Sequence, residues 1–298
     1  MGKFARPEKQ AATAIEQIQK RDPSAIPSLG TARNFTDCLS RVGHWMRDNH
    51  LGRDLWAITK DQAIDYLKAR AETVSQSTLD QERQAIQKMQ QVLTHQLQPS
   101  ERLPVIKSEL EQVLESRAYA TSQVELILEH QSERNAIATE IAFNAGLRAH
   151  ELFCIRRLDE RAPSRRPASD LKFFGRNDGV LYTVQGKGGL VRTVMIDKAL
   201  SERLEDHRLA QPKSVLDRKI WYKTYYDIGG GNAWTKSFSD ASLRALDKTH
   251  GAHGLRHAYA QNRMRTLMKQ GLNRQDALGV VSQEMGHFRP EITEVYLR

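Results

Sequence analysis

The most informative stretch of this sequence for fold and function is His253-Gly254-Leu255-Arg256-His257-Ala258. His253 and Arg256 are three residues apart, so on a helix their side chains share a face. An imidazole and a guanidinium directed at one target suit the oxygen atoms of a phosphoryl group. His253 and His257 also have the spacing of a helical zinc site, but Gly254 stands where that pattern requires a glutamate. No third ligand is evident nearby, so we expect no metal and keep a zinc hydrolase as the weaker alternative.

A second segment lies upstream, at Ala145-Gly146-Leu147-Arg148-Ala149-His150-Glu151-Leu152. Gly146 permits a sharp bend, and Arg148 follows it where a helix is expected to start, a position that favours anions. A guanidinium also binds phosphate in a bidentate manner better than an ammonium group does. Taken alone, the segment is explained better by an Arg148–Glu151 ion pair on an exposed helix face, because such pairs are common.

A β-hairpin is the third feature. The pattern predicts strands at 179–185 and 191–196, joined by the turn Gly186-Lys187-Gly188-Gly189. A lysine at such a turn can reach into a groove and donate a proton to a leaving alkoxide. Taken alone, Lys187 is better explained as an ordinary solvated turn residue.

The fourth feature is Glu284-Met285-Gly286-His287, followed nine residues later by Tyr296. His287 can hydrogen-bond a phosphate oxygen, and Tyr296 can attack phosphorus once its proton is removed. The simpler interpretation is a glycine-terminated helix followed by a helix with one partly buried tyrosine.

Together, the four segments occur in an order that resembles the tyrosine recombinase (phage integrase) family, over about residues 112–298. The resemblance implies an enzyme that cuts and rejoins DNA without a metal, ATP or another cofactor. It implies a catalytic set with Tyr296 as the nucleophile, namely Arg148, Lys187, His253, Arg256, His287 and Tyr296. Glu151 matches the acidic residue that commonly follows the first arginine in the family, which implies a positioning role.

In the implied mechanism, Arg148 and Arg256 bind the scissile phosphate while Tyr296 attacks it to form a 3′-phosphotyrosyl link. Lys187 protonates the leaving 5′ oxygen, and a partner's 5′ hydroxyl later attacks the link. We expect a site-specific recombinase that integrates or excises a mobile element. The alternatives are resolution of chromosome or plasmid dimers, DNA inversion and, as a rival enzyme, a type IB topoisomerase. A DNA-binding protein without catalysis is disfavoured because the full catalytic set is present.

The remainder of the sequence predicts a mainly α fold with a small β-sheet. Apolar residues recur at three- and four-residue steps in the first hundred residues, and Thr59 with Gln62 forms a capping-box pattern. Two prolines within 98–104 indicate a linker. We predict a helical core-binding (SAM-like) domain at 1–98, a linker at 99–111 and a mixed α/β tyrosine-recombinase catalytic domain at 112–298. Helices are expected from about residue 109, from 122 to 155, and after the hairpin.

The charge balance, 45 Lys and Arg against 36 Asp and Glu, favours a polyanionic partner. Candidate DNA contacts are Arg165 and Arg166, in a basic loop that resembles an insertion, and Arg192 on the second strand. The resemblance implies double-stranded recombination sites as the partner and a homotetramer on DNA, with a monomer or weak dimer in solution. The resemblance is also compatible with a DNA-bending accessory protein as a further partner.

Targeting signals are not evident. The N-terminus lacks the apolar region of a signal peptide, and no stretch approaches roughly 18 consecutive apolar residues, so we expect no membrane association. Two cysteines, Cys38 and Cys154, are too few for a disulfide scaffold and fit a reducing compartment. We therefore expect a bacterial cytoplasmic protein, nucleoid-associated when bound. Family members usually continue beyond the tyrosine into a tail that docks on a neighbour, so we expect either a different assembly here or a longer chain.

Overall fold

The computed structural model describes residues 5–111, 115–186 and 188–298. The chain forms two compact units, Met1–Val113 and Leu114–Arg298. In the described part of the chain, no helix combines the length and the hydropathy that a membrane span requires.

The first unit is a helical bundle made of α1 (Pro7–Arg21), α2 (Leu29–Asp48), α3 (Lys60–Ala71) and α4 (Gln76–Val92), with a 3₁₀ turn at Leu55–Ala57. The predicted capping box at the start of α3 is confirmed. Thr59 Oγ1 accepts from the Gln62 amide at 3.2 Å, and Gln62 Oε1 accepts from the Thr59 amide at 3.0 Å. The apolar helix faces meet in one core that includes Ile18, Leu39 and Met89, and their burial stabilises the bundle.

Most of the predicted linker packs along this first unit. Leu103 is 1% exposed and belongs to the helical core. Ser108 Oγ donates to the Val74 carbonyl at 2.7 Å, and the Glu109 amide donates to the Ala71 carbonyl at 3.0 Å. Because these bonds hold the backbone against the end of α3, the helix expected from about residue 109 is absent from residues 109–111. The extent of the linker stays a prediction.

The second unit combines helices with two small antiparallel sheets. Its helices are α5 (Thr121–Glu129), α6 (Glu133–Ala145), α7 (Lys198–Asp206), α8 (Gly231–Leu246), α9 (Gly254–Lys269), α10 (Arg274–Glu284) and α11 (Pro290–Glu294), with 3₁₀ turns at Glu151–Cys154 and Val295–Leu297. Its strands are β1 (Arg156–Arg157), β2 (Gly179–Gln185), β3 (Val191–Asp197), β4 (Arg208–Asp217) and β5 (Ile220–Tyr226). The predicted mainly α fold with a small β-sheet is confirmed.

The predicted hairpin is formed by β2 and β3, in a register that runs from Gly179 opposite Asp197 to Gln185 opposite Val191. Strand β1 adds to the outer edge of β2. Alternate side chains of the hairpin, such as Val184, point into the core of the unit. The two strands are therefore anchored in the core of the unit.

A second hairpin, β4–β5, corrects the expectation that the chain returns directly to helix after the first hairpin. Strand β5 begins Ile220-Trp221-Tyr222, a β-branched and aromatic run that favours a strand. Its turn residues Arg218 and Lys219 have φ of 48° and 67°, a conformation usually signalled by Gly or Asn. Because neither residue type is present, the turn gave no sequence signal.

The end of the chain packs on its own small core. Helices α9 and α10 bury Met264, Leu267 and Val281 against each other. Tyr296 and Leu297, on the last 3₁₀ turn, pack against this cluster. The α9–α10 pair therefore supports the segment that carries Tyr296.

Candidate active site

Arg148 follows the C-terminus of α6, where the chain turns at Gly146. Gly146 adopts the left-handed conformation, with φ of 62° and ψ of 37°. A Cβ atom at this position would lie 2.6 Å from Cδ1 of Tyr259. Glycine therefore suits the position both for its backbone freedom and for the close approach of the tyrosine ring. The turn leaves the Arg148 side chain 26% exposed at the rim of the site.

Glu151 is a fully buried carboxylate that binds two arginines. Its Oε1 accepts from Arg148 Nη1 at 2.9 Å, and its Oε2 accepts from Arg192 Nη2 at 3.0 Å and from the Arg148 amide at 2.8 Å. Because the side chain of Glu151 is 0% exposed, the alternative of an ion pair on an exposed helix face is wrong. Burial would raise the pKa of Glu151, but Arg192, Arg256 and Arg148 outweigh it and lower the pKa to about 2.

Arg256 lies in the first turn of α9 and is fully buried. Its Nη1 donates to the Gly146 carbonyl, and its Nη2 donates to the Met285 carbonyl at 3.3 Å and to His287 Nε2 at 3.0 Å. Burial and the repulsion of Arg148 lower the pKa of Arg256 to about 10, so the guanidinium stays charged at neutral pH. The turn after α6, the end of α10 and the histidine together orient this guanidinium.

His287 is held as one neutral tautomer. An arginine can only donate, so Nε2 of His287 accepts from Arg256 and the ring proton lies on Nδ1. Nδ1 in turn lies 2.9 Å from Thr293 Oγ1 and donates to it. Burial, followed by the repulsion of Arg256 and Arg148, lowers the pKa of His287 to about 3. The ring is therefore uncharged at neutral pH.

Tyr296 lies half-buried among the rings and the guanidinium of this site. Its ring stacks on His287 with a centroid distance of 5.0 Å and an interplanar angle of 30°. The His257 ring is 4.8 Å away, and Cζ of Arg256 is 5.5 Å from the tyrosine ring centroid. The predicted nucleophile therefore shares one site with the predicted phosphate ligands.

His253 immediately precedes α9 and keeps part of its surface open to solvent. Its ring centroid lies 5.3 Å from that of Tyr296. Desolvation by surrounding protein atoms, and then the charge of Arg256, lower the pKa of His253 to about 4. A neutral imidazole carries a ring nitrogen that can accept a proton.

The zinc alternative rests on His253 and His257, whose ring centroids lie 5.6 Å apart. Burial, followed by the charges of nearby arginines, lowers the pKa of both rings, and a cation between the rings would be repelled by the same arginines. Within 5–111, 115–186 and 188–298, no group of three or more His, Cys, Asp or Glu side chains is placed to hold a metal ion.

Lys187 lies outside the described residues. Three other predicted residues, the candidate DNA contacts, lie apart from this centre or differ from expectation. Arg165 and Arg166 are exposed, and the Arg166 guanidinium lies 4.2 Å from the centroid of the Phe288 ring. Arg192 is 3% exposed and bound to Glu151, so the structure places it inside the site instead of on the DNA-facing surface that we expected.

Sequence reasoning missed two contributors. His257 had been considered only as a zinc ligand, yet it is 7% exposed and packs on the Tyr296 ring. Thr293 had no role, yet its hydroxyl contacts His287. A buried hydroxyl three residues before the tyrosine has no signal in a single sequence, since threonine is equally common on exposed helix faces.

Comparisons with known proteins bear on the fold of the chain. No protein-family model matches the sequence, and no curated protein matches it. Among solved structures, the XerH site-specific recombinase bound to palindromic difH substrate, in a post-cleavage complex, is 14% identical, with a TM-score of 0.57 over 100% of this chain and 94% of that one. A lambda integrase tetramer bound to a Holliday junction is 13% identical, with a TM-score of 0.59 over 96% of this chain and 76% of that one.

A lambda integrase (75–356) dimer bound to a COC′ core site gives the same identity, 13%, and the same TM-score, 0.59, over 96% of this chain and 94% of that one. At this level of identity the likeness concerns the fold, and it extends over both units of the chain. The chain therefore has the fold of the tyrosine recombinases and phage integrases, which its motifs predict.

Proposed function

We propose that this protein is a site-specific recombinase that cleaves and rejoins double-stranded DNA through a phosphotyrosine at Tyr296. One observation supports this most strongly: a buried, positively charged cluster lies against the ring of Tyr296. Arg148 and Arg192 bind the carboxylate of Glu151, and Arg256, whose charge also lowers the pKa of this carboxyl, faces the tyrosine ring. The histidines beside them are neutral at pH 7, because their pKa values are lowered.

The excess charge fits a phosphodiester. Glu151 neutralises one of the guanidiniums, so two positive charges of the cluster remain uncompensated. A phosphodiester carries one negative charge, and its pentacoordinate transition state carries a second one. Donors that are already oriented stabilise this added charge without reorganisation. Arg148 is the rim member and the first to meet DNA, whereas Arg256 is held deeper by three hydrogen bonds.

The proposed reaction accounts for every proton that is transferred. Tyr296 attacks phosphorus as its phenolic proton passes to the neutral ring of His253, and the new bond is a 3′-phosphotyrosyl ester. The bond to the 5′ oxygen breaks, and we assign Lys187 as the acid that protonates this oxygen. Attack by a partner strand's 5′ hydroxyl then reforms the phosphodiester and returns the proton to Tyr296. The ester conserves the bond energy, so the scheme uses neither ATP nor a metal.

The biological role that we propose is integration or excision of a mobile element. The structures that share this fold include both a site-specific recombinase on difH substrate and lambda integrase, at similar TM-scores. Because one of those structures is a tetramer on a Holliday junction, we also propose a homotetramer on paired recombination sites. Arg165 and Arg166 are proposed contacts to the DNA backbone, since both are exposed and Arg166 lies beside Phe288, next to His287.

A nicked suicide duplex tests the proposal, because loss of the short 5′ fragment traps the covalent intermediate. We expect the protein to form an adduct in the presence of EDTA and without ATP. Tyr296→Phe should bind the duplex with wild-type affinity and form no adduct. Tyr225→Phe, a change at another half-buried tyrosine, serves as the matched control and should react normally. An adduct formed by Tyr296→Phe, or a requirement for a metal, would contradict the proposal.

A further inference from the structure

Thr293 connects the helix before Tyr296 to the interior of the site. It lies in α11, is 0% exposed, and places its hydroxyl 2.9 Å from His287 Nδ1. Tyr296 follows three residues later, about one helical turn along the chain. A small buried hydroxyl therefore joins the backbone of the tyrosine segment to the ring on which Tyr296 stacks.

The same segment is attached at two further places, and both are nearer to solvent. Glu294 pairs with Arg274 at 2.7 Å, with side chains 40% and 58% exposed. Gln261 Nε2 donates to the Tyr296 carbonyl at 3.3 Å. An exposed ion pair contributes little to stability, and neither contact reaches the reacting groups. They serve as comparisons for the buried contact at Thr293.

We propose that Thr293 is a positioning residue for Tyr296, acting through His287. This inference rests on the proposed function. The hydrogen bonds run from Arg256 Nη2 to His287 Nε2 and from His287 Nδ1 to Thr293 Oγ1. Since Arg256 binds the scissile phosphate in the proposed mechanism, this chain of bonds links the phosphate ligand to the segment that carries the nucleophile.

Removal of the hydroxyl leaves the Nδ1–H of His287 without its acceptor inside the protein. An unpaired buried donor is costly, so the ring turns to find another partner. That rotation breaks the bond from Arg256 and disturbs the stack against Tyr296. Displacement of a reacting group by about 1 Å can lower the rate about 100-fold. Loss of the Thr293 hydroxyl can therefore slow the reaction strongly even when the protein still folds.

The test compares Thr293→Val, which keeps the shape and removes the acceptor, with Thr293→Ser, which keeps the acceptor. Glu294→Gln breaks the exposed pair in the same helix and is the matched control. Single-turnover adduct formation on the nicked duplex, at saturating DNA, reports the rate, and titration of the duplex reports affinity. We expect Thr293→Val to react about 10- to 100-fold more slowly with unchanged affinity, and Thr293→Ser and Glu294→Gln to stay within about threefold of wild type.

A spectroscopic measurement on the full chain separates positioning from a merely structural role. Nitrogen NMR of labelled histidines should show the Nδ1–H tautomer of His287 in the wild type and in Thr293→Ser, and its loss in Thr293→Val. The proposal is overturned if Thr293→Val reacts at the wild-type rate, if the serine variant is equally slow, or if Thr293→Val retains the single tautomer. Thr293→Ala replaces the valine variant if valine lowers the melting temperature. If the wild type itself forms no adduct, the proposed function fails, while the NMR result still decides whether Thr293 holds His287.

Discussion

Arg192 Nη2 donates to Glu151 Oε2 at 3.0 Å, and both side chains are removed from solvent. The pair joins β3 to the 3₁₀ turn after α6. The other oxygen of the same carboxylate binds Arg148, which remains partly exposed. One buried carboxylate therefore sets the positions of two cations, one structural and one available to a ligand.

This arrangement predicts a large effect for Glu151→Gln. The change leaves Arg192 and Arg256 buried without a counter-charge, so we expect the free energy of unfolding to fall by about 3–5 kcal/mol. Denaturation in urea measures it. Asp240→Asn, which breaks the exposed Lys236–Asp240 pair of the same unit, should change stability by less than about 1 kcal/mol. A loss below about 1 kcal/mol in Glu151→Gln would show that the carboxylate does not hold the cluster.

The same carboxylate predicts how stability depends on pH. Its folded pKa of about 2 lies below its ordinary value of 4.5, because the arginines favour the charged form. The unfolded chain therefore binds the proton more readily, and the stability due to Glu151 is complete above pH 4.5 and is lost as the pH falls towards 2. The difference in unfolding free energy between wild type and Glu151→Gln should be constant from pH 7 to about 5 and shrink below 4.5. A difference that grows in acid is the opposite outcome.

Gly146 should be far more sensitive to substitution than another left-handed glycine. In Gly146→Ala the new Cβ lies 2.6 Å from the Tyr259 ring, and the clash shifts the carbonyl that binds Arg256. At Gly251, which has φ of 69°, a Cβ atom has no neighbour within 4 Å. Both changes carry the strain of a left-handed alanine, about 1 kcal/mol. We expect Gly146→Ala to lose about 2 kcal/mol more than Gly251→Ala in urea denaturation, and to lose cleavage activity. Equal losses would show that the tyrosine ring moves aside freely.

Much of the site was predictable because four segments of the sequence resemble, in order and spacing, the motifs of the tyrosine recombinase family. Arg148, His253, Arg256, His287 and Tyr296 carry functional groups that few other residues supply, and the structure brings them together. The hairpin β2–β3 was predictable because a glycine-rich turn between two β-branched runs is a strong signal.

Other features depend on tertiary contacts that one sequence does not record. An arginine on a strand is expected at the surface. Arg192 is buried because it pairs with the carboxylate of Glu151, which lies 41 residues away in the chain. The β4–β5 turn adopts left-handed backbone at Arg218 and Lys219 without the usual glycine or asparagine. The contact of Thr293 with the His287 ring depends on how the chain folds between the two residues, so the sequence did not predict it.

The exposed arginines of the basic loop predict a change in salt dependence. Each phosphate contact that is lost reduces the slope of log affinity against log salt by about 0.9 for duplex DNA. We expect the double variant Arg165→Ala/Arg166→Ala to lose one to two phosphate contacts, and the slope to fall by about 0.9 for each of them. Arg203→Ala, at an arginine already paired with Glu140 at 2.6 Å, is the control. An unchanged slope in the double variant would remove these arginines from the DNA interface.

The side-chain atom that becomes joined to DNA distinguishes the proposed mechanism from every other. Proteolysis of the trapped adduct, followed by mass spectrometry, identifies both the modified peptide and the attached nucleotide end. We predict a peptide containing Tyr296, linked through its phenolic oxygen to a 3′ phosphate. A nucleotide attached to any other side chain, or attached through a 5′ phosphate, would contradict the account.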